Sequence, residues 1–335
     1  MFRTLGVARE RWPLSRPFRI SRGVKTEAEV VVVELSQDGA TGRGESVPYA
    51  RYGETPDSVL EQVEGVRRAL ETGADRSLLT ALLPPGAARN AVDCALWDLE
   101  ARLSGLSVAR ALGLAPPEGL ATAVTVSLDH PDRMAQAAAA VAHAPLLKIK
   151  VDAEDPKARI RAVADAAPAA RLIVDPNESW TFDLLDELQP FLSGLNVDLL
   201  EQPLPAAEEA RLEGWTPAVS VCADESAHTS ADLERLRGRY QAVNVKLDKT
   251  GGLTEGAAML RAARAMGFQV MVGCMISTSL SIAPAALLAA QADFADLDGP
   301  WWMKQDRAGG FGFSEGRMMP TAAGFWGESA HNLGL

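Results

Sequence analysis

From about residue 121 onward, short apolar segments that read as strands alternate with alanine-rich segments that read as helices. The spacing between successive strand centres is nearly constant, at about 25 residues, which is the length of one strand plus one helix. The predicted centres are Val124, Ile149, Val174, Leu199, Cys222, Lys246, Val272 and Asp296. Eight such units predict a (β/α)8 barrel. A doubly wound sheet usually has fewer strands and a glycine-rich phosphate turn, and neither G-x-G-x-x-G nor G-x-x-x-x-G-K-[ST] occurs here.

The first third of the chain has a different pattern. Residues 29–35 (EVVVVEL) are β-branched and predict a strand, with 5–12 and 41–46 as its pairing partners. Helical patterns follow at 58–71, with Asp57 as the predicted N-cap, and at 87–103. Strands followed by helices predict a small α+β domain.

The domain boundary is predicted at Pro116–Pro117, where the repeat begins. This divides the chain into an α+β domain at 1–116 and a barrel domain at 117–309. Beyond Gly310 the sequence is rich in glycine and breaks the repeat, so residues 310–335 are predicted to return to the first domain.

Composition narrows the class of protein. The chain has 335 residues and a formal net charge of −11, which argues against partners such as nucleic acid or an anionic membrane surface. The three cysteines share no metal-ligand spacing, so we expect no disulfide framework and a cytoplasmic location. The N-terminal segment has no apolar signal region, and the longest aliphatic stretch is interrupted by Pro284. A homo-oligomer is compatible with this composition.

Three successive predicted strands end in a carboxylate: Asp175, Glu201 and Asp224. A single acid at such a position is usually a helix N-cap. Three on neighbouring strands would converge on one sector of the barrel rim, where they repel one another unless a cation neutralises them. Ligands that are all oxygen favour a hard ion, and we expect Mg²⁺.

Lysines lie within the same barrel strands. Lys148 and Lys150 are two residues apart and therefore face the same side of their strand, which in a barrel is the interior. Lys246 lies on the strand across the barrel. Burial and neighbouring cations are expected to lower a lysine pKa, so that one amine can act as a base. A base on one face and an acid on the other suits removal and return of a proton next to a carboxylate, which gives racemisation or epimerisation. Lys249 is expected to be a surface or supporting charge.

The motifs resemble those of the enolase superfamily, in its muconate-lactonizing subgroup. They are K-I-K at 148–150, D-P-N at 175–177, E-Q-P at 201–203, A-D-E-S at 223–226 and V-K-L-D-K-T-G-G-L at 245–253. The similarity is closer still to bacterial dipeptide epimerases, on S-R-G at 21–23, PYARYGE at 48–54, GAARNAVDCALWDLEAR at 86–102 and FADLDGPW at 294–301. The family usually has a small residue where this chain has Pro176.

The resemblance implies a modified (β/α)8 barrel under an N-terminal α+β capping domain that the C-terminal tail completes. It implies that Lys150 and Lys246 are the acid/base catalysts and that Lys148 binds and polarises the substrate carboxylate. It also implies that Asp175, Glu201 and Asp224 bind Mg²⁺.

For the substrate, the resemblance implies that Asp296 and Asp298 hold the ammonium group of a dipeptide. Arg22 would pair with a glutamate side chain, and Tyr52 would belong to a second capping loop. The expected reaction is epimerisation of L-Ala-D/L-Glu through an enolate, in recycling of cell-wall peptides. The alternatives are another dipeptide, an N-acylamino acid, a cycloisomerisation, or a non-catalytic binding protein, which the intact lysine and carboxylate set disfavours.

Overall fold

The computed structural model describes residues 3–115 and 118–328. The predicted boundary at Pro116–Pro117 therefore lies outside the described residues, and the division of the chain at that point stays a prediction. Within residues 3–115 and 118–328, no helix is both long and apolar enough to span a membrane. The cysteines Cys94, Cys222 and Cys274 are free thiols.

The N-terminal region forms an antiparallel sheet with the strand order β1-β2-β3. Its strands are β1 (Thr4–Ile20), β2 (Gly23–Gln37) and β3 (Ala40–Ser46). The central strand β2 contains the β-branched run at 29–35 and pairs with both neighbours, as the sequence predicts. The helices that follow are α1 (Pro56–Gly65), α2 (Arg67–Glu71), α3 (Arg76–Leu82), α4 (Ala87–Ser104) and α5 (Val108–Leu112).

The N-cap of the first helix lies two residues before the predicted cap at Asp57. Thr55 is the N-cap: its side chain accepts the backbone N–H of Ser58, whose hydroxyl in turn accepts the backbone N–H of Thr55. This reciprocal capping box places Pro56 at the first helical position, where a missing N–H costs nothing. The predicted helix at 58–71 is also divided, because α1 ends at Gly65 and α2 starts at Arg67.

The long helix α4 lies directly on strand β3. A Cβ atom on Gly42 would lie 2.2 Å from the backbone nitrogen of Leu99, and one on Gly44 would lie 2.1 Å from the carbonyl oxygen of Ala91. Only glycine fits at these two positions. The close approach fixes the helix relative to the sheet and directs its other face toward the barrel.

The barrel is one parallel sheet of eight strands in sequential order. A backbone hydrogen bond of 2.8 Å from Ala123 to Ala295 links its first and last strands. The strands are β5 (Val124–Val126), β6 (Leu146–Lys150), β7 (Arg171–Asp175), β8 (Val197–Glu201), β9 (Val221–Ala223), β10 (Ala242–Val245), β11 (Gln269–Gly273) and β12 (Phe294–Asp296). They follow the predicted repeat, although the first strand is shorter than the apolar run at 121–128 and Lys246, a predicted strand centre, lies just past the end of β10.

The helices around the barrel are less regular than its strands. They are α6 (Pro131–Ala140), α7 (Pro156–Ala166), α8 (Phe182–Ser193), α9 (Leu233–Leu236), α10 (Leu247–Thr250), α11 (Leu253–Ala265) and α12 (Ser279–Ala289). Only a 3-10 segment at Ala206–Leu212 connects β8 to β9. The chain is thus a modified (β/α)8 barrel under an α+β cap.

The interior of the barrel is layered. A floor is formed by eight buried apolar residues, one in or next to each barrel strand. They are Ala123, Leu146, Ile173, Leu199, Cys222, Ala242, Met271 and Phe294. Side chains two residues apart on a strand share a face, and five of the eight next inward positions after this floor carry charged side chains. These include Lys148, Glu201, Asp224 and Asp296. The apolar floor therefore supports a charged layer at the carboxyl ends of the strands.

The C-terminal segment packs back onto the cap. Its hairpin, β13 (Gly312–Ser314) and β14 (Arg317–Met319), pairs with the short strand β4 (Leu120–Ala121). Trp326 then donates its indole N–H to the carbonyl oxygen of Arg43 at 2.9 Å, and the backbone N–H of Gly327 donates to Asp98 at 2.7 Å. The predicted return of the tail is seen as far as residue 328.

Candidate active site

A cavity of about 830 Å³ lies between the cap and the carboxyl ends of the barrel strands. Its wall includes most of the site residues predicted from the sequence: Arg22, Tyr52, Lys148, Lys150, Asp224, Lys246, Asp296 and Asp298. Asp175 and Glu201 lie beneath this wall, fully buried, and contact Lys148. The cavity has the size and position expected of a small-ligand site on this fold.

Lys148 is the centre of the charged layer. Its Nζ lies 2.6 Å from Glu201 Oε2, 2.7 Å from Asp296 Oδ2 and 3.1 Å from Asp175 Oδ2. The Glu201 contact is an ion pair without hydrogen-bond geometry, which leaves Oε2 of that residue without a hydrogen-bond partner in the described part of the chain. One ammonium group thus holds carboxylates from three different strands.

The two other predicted lysines lie on opposite sides of the barrel. Lys150, the last residue of β6, donates to Asp175 Oδ2 at 2.5 Å. Lys246 directly follows β10, and its Nζ lies 2.7 Å from Asp224 Oδ2. Strands β6 and β10 are separated by three strands in either direction around the eight-stranded sheet. The two amines therefore approach the cavity from opposite sides.

Of the two roles expected for Lys249, a surface charge or a supporting charge, the structure shows the second. Its Nζ is buried and donates to Asp224 Oδ1 at 2.6 Å and to the backbone oxygens of Asp224 and Asn244. Asn244 in turn donates to Glu201 Oε1 at 2.9 Å. Asn244 lies two residues before Lys246, so the spacing that identified Lys148 and Lys150 also places it on the interior face. The sequence gives no such spacing signal for Lys249, because this residue lies in helix α10 rather than on a strand and the helix turns its side chain inward.

The charged groups shift one another's pKa values. Burial alone would raise the pKa of Asp175, but Lys150 and Lys148 hold it below its usual range. The pKa of Glu201 is raised by burial and then by the Asp175 carboxylate. Burial would lower the pKa of Lys246, yet Asp224 and Glu201 raise it above the ordinary value, contrary to the lowering expected from the sequence. Paired carboxylates outweigh burial here.

Three carboxylates of the charged layer are suitable ligands for a hard divalent cation, although in the structure they are paired with lysines. Asp175, Glu201 and Asp224 offer only oxygen atoms and are all buried. Burial and the neighbouring Asp175 and Asp224 carboxylates raise the pKa of Glu201, and a cation shared by the three would relieve their repulsion. Across residues 3–115 and 118–328, no group of three or more His, Cys, Asp and Glu side chains is yet gathered around one metal position.

Asp296 ends the last barrel strand, and Asp298 lies two residues beyond it. Asp298 Oδ2 accepts the backbone N–H of Thr125 at 2.8 Å and the indole N–H of Trp302 at 3.1 Å. Burial, followed by the neighbouring Asp296, raises the pKa of Asp298 to about 6. Because both carboxylates also line the cavity, a cation placed between them would relieve their mutual repulsion.

Arg22 lies in the turn between β1 and β2 and reaches across to the barrel. Its guanidinium donates to Glu225 at 2.6 Å, to Glu178 at 3.2 Å, to the carbonyl oxygen of Asn177 at 3.0 Å and to the Tyr49 hydroxyl at 3.1 Å. Each partner is more than 25 residues away along the chain, so sequence periodicity could not identify this network. It closes the cap loop over the cavity.

Tyr52 belongs to the second cap loop and lines the cavity beside Arg22. Its ring packs edge-on against His228, with the ring centroids 4.6 Å apart, and lies 5.3 Å from the ring of Tyr49. Burial raises the pKa of Tyr52, so its hydroxyl stays protonated. Sequence reasoning singled out neither Tyr49 nor Glu178, although PYARYGE contains the first and D-P-N-E the second.

Two family models together match most of the chain. Residues 2–113 match the mandelate racemase/muconate lactonizing enzyme N-terminal domain, and residues 132–325 match the enolase C-terminal domain-like family. Curated relatives include the L-Ala-D/L-Glu epimerase of Escherichia coli strain K12, 49% identical over 94% of this chain and 99% of that protein. The N-acetyl-D-glutamate racemase of a Pseudoalteromonas species is 45% identical over 90% of this chain and 96% of its own length.

Solved structures agree with this grouping. An enolase family member from Agrobacterium tumefaciens with homology to dipeptide epimerases, bound to sodium and L-Ala-L-Glu, has a TM-score of 0.95 and 46% identity and covers 97% of this chain and 100% of its own. The dipeptide epimerase of Enterococcus faecalis V583, complexed with Mg and L-Leu-L-Tyr, has a TM-score of 0.89 and 28% identity and covers 98% of this chain and 100% of its own. This chain belongs to the mandelate racemase/muconate lactonizing enzyme family of the enolase superfamily, within its dipeptide epimerases, and is an isomerase.

Proposed function

We propose that this protein catalyses the Mg²⁺-dependent epimerisation of L-Ala-D/L-Glu. The observation that carries the proposal is the placement of Lys150 and Lys246 at opposite sides of one cavity, with carboxylates from the three intervening strands between them. A carbon acid held between two such amines can lose its proton to one and regain a proton from the other, which inverts the configuration at that carbon. The reaction is a 1,1-proton transfer through an enolate.

The three lysines have different tasks in this proposal. Lys150 and Lys246 exchange protons with the α-carbon, each at its Nζ and each from its own face. Lys148 lies on the same strand as Lys150 and also lines the cavity, where its ammonium group would bind the substrate carboxylate and stabilise the negative charge that develops there. The contacts of Lys148 with three carboxylates support a permanently charged amine, because they raise its pKa despite burial.

Asp175, Glu201 and Asp224 are the proposed Mg²⁺ ligands. The solved structures of related dipeptide epimerases contain Mg, which supports a metal requirement. When bound, Mg²⁺ supplies positive charge beside the substrate carboxylate. Lys148 and Lys246, which contact these carboxylates in the structure, would then turn toward the substrate.

Asp296 and Asp298 are proposed to bind the ammonium group of the dipeptide. Two buried carboxylates at the cavity wall suit one cation with three N–H donors. Arg22 is proposed to pair with the glutamate side chain, for which its guanidinium would exchange Glu225 or Glu178. Tyr52 would close the same side of the cavity.

Racemisation of an N-acylated glutamate is the second candidate, because one relative with 45% identity is an N-acetyl-D-glutamate racemase. An N-acyl group carries no ammonium ion to place between Asp296 and Asp298, and Asp296 would keep only its contact with Lys148. The raised pKa of Asp298 indicates that such a pair is costly to keep ionised. The dipeptide is therefore the favoured substrate.

The test is incubation of the enzyme and Mg²⁺ with L-Ala-D-Glu in D₂O, with the glutamate α-proton followed by NMR. Loss of that signal together with appearance of L-Ala-L-Glu is expected, and EDTA should abolish both. N-Acetyl-D-glutamate under the same conditions is the comparison. No exchange with the dipeptide at high enzyme concentration contradicts the proposal, and faster turnover of the N-acetyl compound favours the second candidate.

The Asp298→Asn variant separates the two candidates further. It should lose activity on the dipeptide, since the ammonium loses one charged partner, and keep any activity on N-acetyl-D-glutamate. Full dipeptide activity in this variant would show that Asp298 has another role. A place in recycling of cell-wall peptides, in the cytoplasm, follows from the proposed substrate, and a homo-oligomer remains a prediction.

A further inference from the structure

The chain turns sharply just after Lys246. The short helix α10 follows it, and the carbonyl oxygen of Lys246 accepts the backbone N–H groups of both Lys249 and Thr250 at 3.0 Å. Gly251 and Gly252 end the turn with φ angles of 80° and 113°, a conformation that side chains other than glycine rarely adopt. The main chain of Lys246 is thus part of the turn, and any shift of the turn moves this lysine.

The turn is held from outside by one carboxylate oxygen. Oδ1 of Asp248 accepts the side-chain amide of Asn90 at 2.8 Å and the backbone N–H of Val47 at 2.9 Å. Asn90 lies on the cap helix α4, and Val47 directly follows the cap strand β3. All three residues are buried. Two separate segments of the cap therefore meet on a single atom two residues after Lys246.

The helix α4 makes further contacts with the same turn. Arg89 on α4 donates to the carbonyl oxygens of Thr250 at 2.6 Å and Gly251 at 3.2 Å. A Cβ atom on Gly251 would lie 2.3 Å from Arg89 Nε. The turn and the helix thus fit together without room for a side chain, and Asp248 is the acidic group that both cap segments share.

We infer that Asp248 is a positioning residue, which fixes Lys246 relative to the cap loop that closes the cavity. Val47 is the first residue of the segment that leads to Tyr49 and Tyr52, both of which line the cavity. Oδ1 of Asp248 accepts a hydrogen bond from Val47 in that segment, and Asp248 itself belongs to the turn that follows Lys246. The segment and the turn are therefore held together. The inference rests on the proposed two-lysine epimerisation and adds to it the means by which one lysine is placed.

The contacts of Asp248 should affect proton transfer at Lys246 and not at Lys150. Lys150 is held within strand β6, whose register pairs it with Asp175 on β7, and the turn at 247–252 follows β10 across the barrel. Loss of the Asp248 contacts should displace Lys246 while Lys150 keeps its place. A displacement of about 1 Å at a catalytic group can lower a rate about 100-fold. Proton exchange at the Lys246 face should therefore fall much more than exchange at the Lys150 face.

The experiment compares the two epimers in D₂O. The α-proton exchange rate is measured separately for L-Ala-L-Glu and L-Ala-D-Glu, at early times and saturating Mg²⁺, and expressed as a ratio. Lys246→Ala identifies which epimer presents its proton to that lysine. Asp248→Ala should shift the ratio at least about 10-fold in the same direction as Lys246→Ala.

Two further variants separate positioning from loss of folding. Asp248→Asn keeps an oxygen that can accept both N–H groups, and it should return the ratio to the wild-type value. Asp98→Ala is the matched control, because Asp98 is also buried and accepts two backbone N–H groups, from Arg43 and Gly327, but joins the cap to the tail. It should destabilise the protein without shifting the ratio.

Each outcome decides one point. No exchange by the wild-type enzyme contradicts the proposed function, and an unshifted ratio in Lys246→Ala contradicts the two-lysine mechanism. A wild-type ratio in Asp248→Ala, with both rates lowered equally, overturns the positioning role. If Asp248→Ala does not fold, Asn90→Ala decides instead: it removes one of the two donors and should shift the ratio in the same direction by a smaller factor.

Discussion

Gln202 of the E-Q-P motif offers the sharpest test of how the candidate metal site is held. Its Oε1 accepts the backbone N–H groups of Asp224 at 2.9 Å and Ser226 at 3.1 Å. Its Nε2 donates to the carbonyl oxygen of Leu204 at 2.9 Å and contacts the Tyr240 hydroxyl at 3.1 Å. The side chain is fully buried. It therefore fixes the main chain of Asp224, a proposed Mg²⁺ ligand.

The Gln202→Leu variant removes these bonds while filling a similar volume. It leaves two buried N–H groups unpaired, and at about 1–3 kcal/mol each the loss in free energy of unfolding is about 2–6 kcal/mol. Removing a group that orients a metal ligand lowers metal affinity by about 10–100-fold. Urea unfolding followed by circular dichroism measures the first effect, and calorimetric titration with Mg²⁺ after EDTA treatment measures the second.

Gln189 supplies the matched control. Its Oε1 accepts the backbone N–H groups of Ala218 and Val219, each at 2.8 Å, before strand β9 rather than at its carboxyl end. Ala218 is exposed, so water can replace one bond, and Gln189→Leu should cost about 1–3 kcal/mol. Its Mg²⁺ affinity and turnover should equal those of the wild type. Wild-type Mg²⁺ affinity in folded Gln202→Leu would refute the reasoning.

Three further outcomes are expected. Lys150→Ala and Lys246→Ala should each lose turnover by about 10²–10⁴-fold and still bind Mg²⁺ in a calorimetric titration; activity in both would contradict the two-lysine mechanism. Arg22→Ala should lower kcat/KM for L-Ala-D-Glu by about 10–100-fold, because one charged hydrogen-bonded pair is lost, and should change kcat/KM for L-Ala-D-Ala little. Equal losses for the two substrates would argue against pairing of Arg22 with the glutamate side chain. Arg307→Ala removes the cation beside buried Glu45 and should cost about 3–5 kcal/mol. Burial raises the pKa of Glu45, so keeping this carboxyl ionised in the folded protein costs free energy at any pH above its unfolded-state pKa. Without Arg307 this cost is larger. The urea midpoint of the variant should therefore fall further below that of the wild type at pH 8 than at pH 5.

The barrel and its charged layer could be predicted because both depend on local sequence patterns. A buried parallel strand is a short apolar run, and a charge placed two residues beyond an apolar floor residue must share its face. Lys148 and Glu201 are such cases, and the structure places both in the interior. The family motifs added the roles of these residues, which spacing alone does not supply.

The remaining features depend on contacts that the local pattern does not encode. Lys249 is three residues past Lys246, and its inward direction follows from the turn of α10 rather than from a strand. Arg22 meets Glu225 across more than 200 positions of the chain. Asp57 is the predicted cap of the first helix, and the reciprocal bonds between Thr55 and Ser58 show that Thr55 is the cap instead.

The charges of the site explain how an acidic protein could act on the acidic dipeptide proposed as its substrate. Four buried lysines, Lys148, Lys150, Lys246 and Lys249, lie among the buried carboxyl groups of Asp175, Glu201, Asp224, Glu225, Asp296 and Asp298. The lysine that accepts the α-proton must be a neutral amine and becomes an ammonium as the enolate forms, so the total charge of the site does not change in this step. Negative charge moves onto the substrate carboxylate, and Lys148 and a bound Mg²⁺ would lie beside it. The site would therefore bind the enolate more tightly than the substrate, and this difference in binding accelerates a reaction.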